Sequence, residues 1–171
     1  VDGGATDSFV NNKDLCVKGT IHEMDHTVVV DSPWSDEAFT STHAGTLAVR
    51  SNTVEGGVIL LPETPITEGA SRTLISVPNL DDKGYYVDHG GGGIRIRKGQ
   101  SGNTILSLPR LPESGDSLRV VHGKGTQPRK GPIHFGLKRK HKLYPVPDDC
   151  FVTDPEELKR LTPSSTECNL A

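Results

Sequence analysis

The sequence predicts a mostly β fold with one short helix, followed by a basic, poorly ordered C-terminal tail. Three observations favour this class. Short runs of β-branched and aliphatic residues recur along the first two-thirds of the chain. The 171 residues include 19 glycines and 12 prolines, which favour turns over long helices. Beyond residue 110, aliphatic residues become sparse and basic residues collect, as in a tail without a core of its own.

These patterns divide the chain into a folded domain over residues 1–110 and a linker or tail over residues 111–171. The length suits this division, because single domains most often have about 100–150 residues. The tail is first basic and then acidic. Within it, Thr153-Asp-Pro-Glu156 has the form of a capping box and predicts a short helix near 154–161, which Pro163 ends.

The predicted strands follow one another at short intervals, and each is an apolar or β-branched run bounded by turn residues. In chain order they are 9–10, 16–17, 27–30, 46–49, 58–61, 85–87, 94–96 and 105–108. The runs 46–49 and 58–61 enclose several turn residues, which predicts a hairpin. The glycines of 90–93 predict a second hairpin turn, which we prefer to the alternative that Asp88-His-Gly90 is another aspartate loop.

The helix of the folded domain is predicted over residues 74–84. Ser76 suits the N-cap, Pro78 suits the first turn and Gly84 can end the helix. Leu80 would then supply an apolar side chain to the core.

The strongest chemical signal is the aspartate of Val1-Asp-Gly-Gly-Ala-Thr6. A turn built from the smallest side chains leaves this carboxylate accessible and lets backbone N–H groups and a second copy of the turn approach it. Two carboxylates that share one proton can activate a water molecule against a peptide carbonyl. Asp2 is therefore the candidate catalytic residue.

Two motifs carry a resemblance to the protease region of copia-type retrotransposon Gag-Pol polyproteins. Asp2-Gly3-Gly4-Ala5-Thr6 is similar to the D-[ST]-G-A-[ST] active-site loop of retropepsins. The second motif, similar to the stretch N-L-L-S-V-x-x-L-x-D-K-G-Y-x-V that closes this region, is Arg72-Thr-Leu-Ile-Ser-Val-Pro-Asn-Leu-Asp-Asp-Lys-Gly-Tyr-Tyr-Val87. The order of the two motifs and their separation also suit the family.

This resemblance implies a retropepsin-like closed β-sheet, the acid-protease fold, over residues 1–110. It implies an aspartic endopeptidase that hydrolyses peptide bonds of its own polyprotein and needs no cofactor. Asp2 would be catalytic, and a homodimer would form the site because each chain offers one such aspartate. The segment that starts near residue 74 would pack behind the aspartate loop.

The resemblance also makes the first hairpin, with Asn52, Glu55, Gly56 and Gly57, the flap that closes over a bound peptide. Its glycines would supply the mobility that a lid needs, and a hairpin without a gating role is the alternative. The chain departs from the family at Gly3, where a Ser or Thr hydroxyl usually braces the two loops of the dimer. This departure supports a second hypothesis, a catalytically inactive fragment that serves as a structural or binding module.

A third hypothesis comes from His22-Glu23-Met-Asp-His26, which matches the H-E-x-x-H motif of zinc peptidases. That motif needs a helix, whereas the following residues 27–30 indicate a strand. On a strand, residues four apart lie ~13 Å from each other at ~3.3 Å per residue, too far to bind one metal ion. We therefore predict no metal site and prefer a solvated polar turn.

Partners and compartment follow from charge, cysteines and hydropathy. The basic stretch 124–142 can make weak contacts with nucleic acid, although a solvated linker is the preferred interpretation. Cys16, Cys150 and Cys168 lack metal-site or disulfide spacing, which fits a reducing compartment. No apolar run approaches the ~20 residues that span a bilayer. We expect no membrane partner and a location in the cytoplasm, a virus-like particle or the nucleus.

Overall fold

A computed structural model describes residues 1–2, 5–31, 38–70, 72–110 and 144–162. The described fold is mostly β, as predicted. Besides two short 3₁₀ turns, its elements are β1 (His22–Asp31), β2 (Ala38–Arg50), β3 (Val58–Pro65), α1 (Val77–Asp82), β4 (Tyr85–Gly90), β5 (Gly93–Lys98), β6 (Thr104–Pro109) and α2 (Pro155–Leu161). No helix within these ranges is long and apolar enough to cross a membrane.

The first sheet is antiparallel with the order β1-β2-β3, so β2 lies in the centre. The predicted hairpin is confirmed, because Leu47 pairs with Leu61 and Arg50 pairs with Val58. The middle of β2 forms part of the core, since the side chains of residues 47–49 are fully buried. β1 extends the predicted strand 27–30 back to residue 22 and therefore includes the whole H-E-x-x-H motif.

The second sheet is antiparallel with the order β4-β5-β6, and it confirms the last three predicted strands. Gly90 pairs with Gly93 across the turn. Gly91 and Gly92 lie in that turn with φ angles of 58° and 80°, a region that favours glycine. In β5 the alternate residues Ile94 and Ile96 are buried, as expected for a half-buried strand, and β6 buries Ile105, Leu106 and Leu108.

Helix α1 is shorter than predicted. It begins after Ser76, the predicted N-cap, whose side chain accepts a hydrogen bond from the backbone N–H of Asn79. It ends at Asp82, and Gly84 follows with a φ of 80°. Residues 74–76 are extended instead of helical because their backbone groups bond to other strands.

Residues 144–162, the C-terminal segment, pack onto the body and do not behave as part of a separate tail. Tyr144, Cys150 and Val152 are buried. The N–H of Val152 donates to the carbonyl of Ala48 at 2.9 Å, which attaches the segment to β2. Its buried apolar side chains enter a core that other elements largely supply. Helix α2 confirms the helix predicted near 154–161, whereas the basic stretch 124–142 lies outside the described residues.

Candidate active site

The candidate catalytic residue lies at the start of α1. Asp2 is 5% exposed. Its backbone forms a parallel bridge with Ser76: the N–H of Asp2 donates to the carbonyl of Ile75 at 2.9 Å, and the N–H of Val77 donates to the carbonyl of Asp2 at 3.2 Å. Residue 2 is thereby fixed to the residues on either side of the helix N-cap.

The chain returns to the same segment seven residues later. Phe9 and Leu74 form an antiparallel bridge in which each N–H donates to the other carbonyl at 2.9 Å. Val10 forms a parallel bridge with Ile66 on its other side. Residues 2–10, the aspartate loop, therefore enclose residues 74–76, which run parallel to one limb of the loop and antiparallel to the other.

Two buried serines fasten the interior of the loop. The hydroxyl of Ser76 donates to the carbonyls of Ala5 and Thr6, at 2.9 and 3.0 Å. The backbone N–H of Ser76 donates to the hydroxyl oxygen of Ser8 at 3.0 Å, and that hydroxyl donates to the side-chain oxygen of Asn79 at 3.1 Å. The loop is thus bonded to α1 and its N-cap at several points.

The outer end of the loop is held by a second small network. The N–H of Asn11 donates to the hydroxyl of Thr73 at 3.1 Å, and that hydroxyl donates back to the Asn11 side-chain oxygen at 2.7 Å. The Asn11 amide also donates to the carbonyl of Ala70 at 3.2 Å. Together these bonds fix where the loop leaves the segment that it encloses.

The predicted loop residues differ in their surroundings. Gly3 and Gly4 lie outside the described residues. Ala5 is half-buried, and Thr6 and Asp7 are exposed. The carbonyls of residues 5 and 6 accept hydrogen bonds from Ser76, so contacts of the loop backbone fix the orientation of this part of the loop.

The C-terminal segment reaches the same region. Tyr144 pairs with Val1 through two backbone hydrogen bonds, from the Val1 nitrogen to the Tyr144 carbonyl at 2.7 Å and from the Tyr144 N–H to the Val1 carbonyl at 3.1 Å. The Tyr144 ring also meets the ring of His89 edge-on, with centroids 6.0 Å apart. A cleft of about 420 Å³ lies between Val1, residues 72–75 and this segment.

The residues predicted as a flap are fastened to the second sheet. The side-chain amide of Asn52 donates to the carbonyl of Ser107 at 2.8 Å and accepts from its N–H at 2.9 Å. The carboxylate of Glu55 accepts from the N–H of Thr104 at 2.5 Å. Gly56 and Gly57 complete the turn, with φ angles of 73° and 110°. The side chains of Asn52 and Glu55 therefore hydrogen-bond this turn to β6.

The H-E-x-x-H motif lies on strand β1, so the prediction of a solvated polar turn is wrong. Its two histidines have separate partners. The Nε2 of His22 lies 2.9 Å from the carboxylate of Glu63, and the Nδ1 of His26 lies 2.5 Å from that of Asp25. Glu23 is exposed. Among the described residues, no group of three or more His, Cys, Asp or Glu side chains could hold a metal ion. The geometry therefore gives no support to the zinc peptidase hypothesis.

The described cysteines are structural in character. Cys16 and Cys150 are free thiols in the core. Burial raises the pKa of each thiol, so both are protonated near neutral pH. Neither has the lowered pKa of a nucleophilic cysteine. Cys168 lies outside the described residues.

Ser8 and Ser76 were not predicted as site residues. Ser76 was found only as an N-cap, because a capping serine before a helix leaves a local signal. The partners of its hydroxyl hydrogen are about 70 residues away in sequence, and no local pattern indicates such a contact.

No protein-family model, curated protein or solved structure matches this chain.

Proposed function

We propose that this chain is the aspartic endopeptidase of a copia-type retrotransposon polyprotein. It would have a retropepsin-like fold and act on its own polyprotein, in the cytoplasm or a virus-like particle. One observation supports this most strongly. The two motifs that resemble the family are far apart in sequence, yet Asp2 is hydrogen-bonded to residues 75 and 77 of the second motif. The second motif also packs behind the aspartate loop, where the family resemblance expects it.

The mechanism needs two copies of Asp2, one from each chain of a homodimer. One carboxylate, ionised, takes a proton from a water molecule that attacks the scissile carbonyl. The other, protonated, donates a hydrogen bond to that carbonyl and later protonates the leaving nitrogen. Like charges close together keep one proton on the pair over a wide pH range, so the titration belongs to the dyad as a whole.

Access to Asp2 is limited in the single chain, where the residue is 5% exposed. The aspartate of a second copy therefore has to approach a buried residue. The lost hydroxyl at residue 3 leaves the brace between the two loops to other groups. Thr6, which is exposed, is the next hydroxyl along the loop.

The turn at residues 52–57, which the family resemblance makes the flap, is hydrogen-bonded to β6. These bonds support the alternative of a hairpin without a gating role, because they restrain the opening and closing that a lid performs.

Substitution of the catalytic carboxylate tests the proposal. Asp2→Asn should lower the rate of peptide-bond cleavage by roughly 10²-fold or more, because positioned acid–base groups contribute about 10²–10⁴-fold. The measurement is mass-spectrometric detection of cleavage in a library of peptides with apolar residues around the central bond. Asp7→Asn is the matched control and should cleave as the wild type does. Full activity of Asp2→Asn would show that the assignment is wrong.

A structural or binding module without catalysis is the second candidate. It is favoured by the low exposure of Asp2 and by the glycine at residue 3. This candidate predicts that the wild-type chain cleaves no peptide of the library at any acidic or neutral pH, the range in which carboxylate pairs that share one proton act.

A further inference from the structure

We propose that Ser76 is a positioning residue for Asp2, and that its hydroxyl fixes the shape of the aspartate loop. This inference rests on the proposed function and adds to it a residue that holds the catalytic group in place.

Ser76 and its two chain neighbours contact the loop at its start and in its interior. The Ser76 side chain is fully buried. Its chain neighbours Ile75 and Val77 bond to the backbone of Asp2, while its own hydroxyl donates to the carbonyls of Ala5 and Thr6. The loop is therefore wrapped around this one residue.

Helix capping alone does not account for these contacts. A cap needs only the hydroxyl oxygen, which accepts from the N–H of Asn79 at 3.2 Å. The hydroxyl hydrogen is directed across to the loop instead. The Ser76 N–H and the Asn79 side chain both bond to the hydroxyl of Ser8, which closes a ring of buried hydrogen bonds. A buried network in which each member has partners is rigid.

The hydroxyl also sets the orientation of the loop peptides. The described peptide bonds are trans, so each N–H points away from the carbonyl of the same peptide plane. Because the carbonyls of residues 5 and 6 face Ser76, the N–H groups of Thr6 and Asp7 face the opposite side of the loop. Without the hydroxyl, both carbonyls lose their donor and the planes can turn. A misplacement of about 1 Å in a catalytic site can cost about 10²-fold in rate.

A matched pair of variants isolates the hydroxyl. Ser76→Thr keeps it, and Ser76→Val has nearly the same shape without it, so any cost of the added methyl group is common to both. On a peptide that the wild type cleaves, we expect kcat of Ser76→Val to be roughly 10- to 100-fold below that of Ser76→Thr. KM should agree within about twofold, because the loop geometry and not substrate affinity is changed.

Amide hydrogen exchange gives a readout that is independent of activity. Exchange at residues 5–8 should be faster in Ser76→Val than in Ser76→Thr, while the β2–β3 ladder around Leu47 and Leu61 should be unchanged. If Ser76→Val does not fold, the same comparison is made with Ser8→Thr and Ser8→Val, which preserve and remove the other hydroxyl of the network.

The outcomes separate this inference from the proposed function. Equal kcat and equal loop exchange in the Thr and Val variants of an active protein would overturn the positioning role and leave the protease proposal intact. A wild-type chain that cleaves nothing would overturn the protease proposal, and the positioning role with it. A lower kcat together with faster exchange at residues 5–8 supports both.

Discussion

His22, the first histidine of the H-E-x-x-H motif, has two hydrogen-bond partners in the fold. The carbonyl of Thr20 accepts from its Nδ1, and the Glu63 carboxylate lies beside its Nε2. Both contacts raise the pKa of His22 above its ordinary 6.5, and the Thr20 contact has the larger effect. Its protonated form is favoured in the folded state. Its contribution to stability is therefore present below pH 6.5 and is lost as pH rises through the higher pKa of the folded protein.

We expect Glu63→Gln to lower the pKa of His22 only part of the way, because the Thr20 carbonyl remains. The measurement is an NMR titration of the His22 ring. Glu68→Gln is the control, since that carboxylate lies near Lys13 and not near His22. An identical His22 titration in the wild type and in Glu63→Gln would contradict the assigned contact.

At the scale of elements, short sequence patterns predicted the features that depend on residues close together in the chain. β-Branched runs predicted the strands, and Ser76, Pro78 and Gly84 predicted the helix, because caps and alternation act over a few residues. The contacts of residue 2 with residues 75 and 77 were not predictable in this way. They join segments far apart in sequence, and only the family resemblance indicated that these segments belong together.

The packing of the C-terminal segment was also outside the reach of local patterns. Cys150 and Val152 are buried, yet the short apolar run 150–152 was not predicted to join the core. Phe151 bridges to Val49 and Arg50 bonds to the carbonyl of Asp149, so β2 supplies the missing partners. Composition indicates whether a segment can form a core by itself. The C-terminal segment instead packs against β2.

The buried end of this segment allows a stability prediction. Val152→Ala should lower the free energy of unfolding by about 1–3 kcal/mol, because it removes buried methyl groups and leaves a cavity. Val54→Ala is the control, since Val54 is fully exposed and should change the stability by less than about 0.5 kcal/mol. Urea unfolding measures both. No effect of Val152→Ala would place the segment outside the cooperative unit, as the sequence first suggested.

At the scale of the whole molecule, the proposed chemistry requires two chains. Each offers a single Asp2, so a dyad needs a twofold axis. We expect sedimentation at micromolar concentration to show a species of about twice the 18.4 kDa of one chain. A strictly monomeric chain that still cleaves peptides would contradict the dyad. A strictly monomeric chain without cleavage would favour the second candidate.

The way the aspartate loop surrounds residues 74–76 has a consequence for biosynthesis. Asp2 leaves the ribosome before its backbone partners, which follow only after more than 60 intervening residues. Contacts of such high sequence separation form slowly, because a long stretch of chain loses its freedom before they are made. The surroundings of Asp2 are therefore completed late, after the first sheet has had time to assemble.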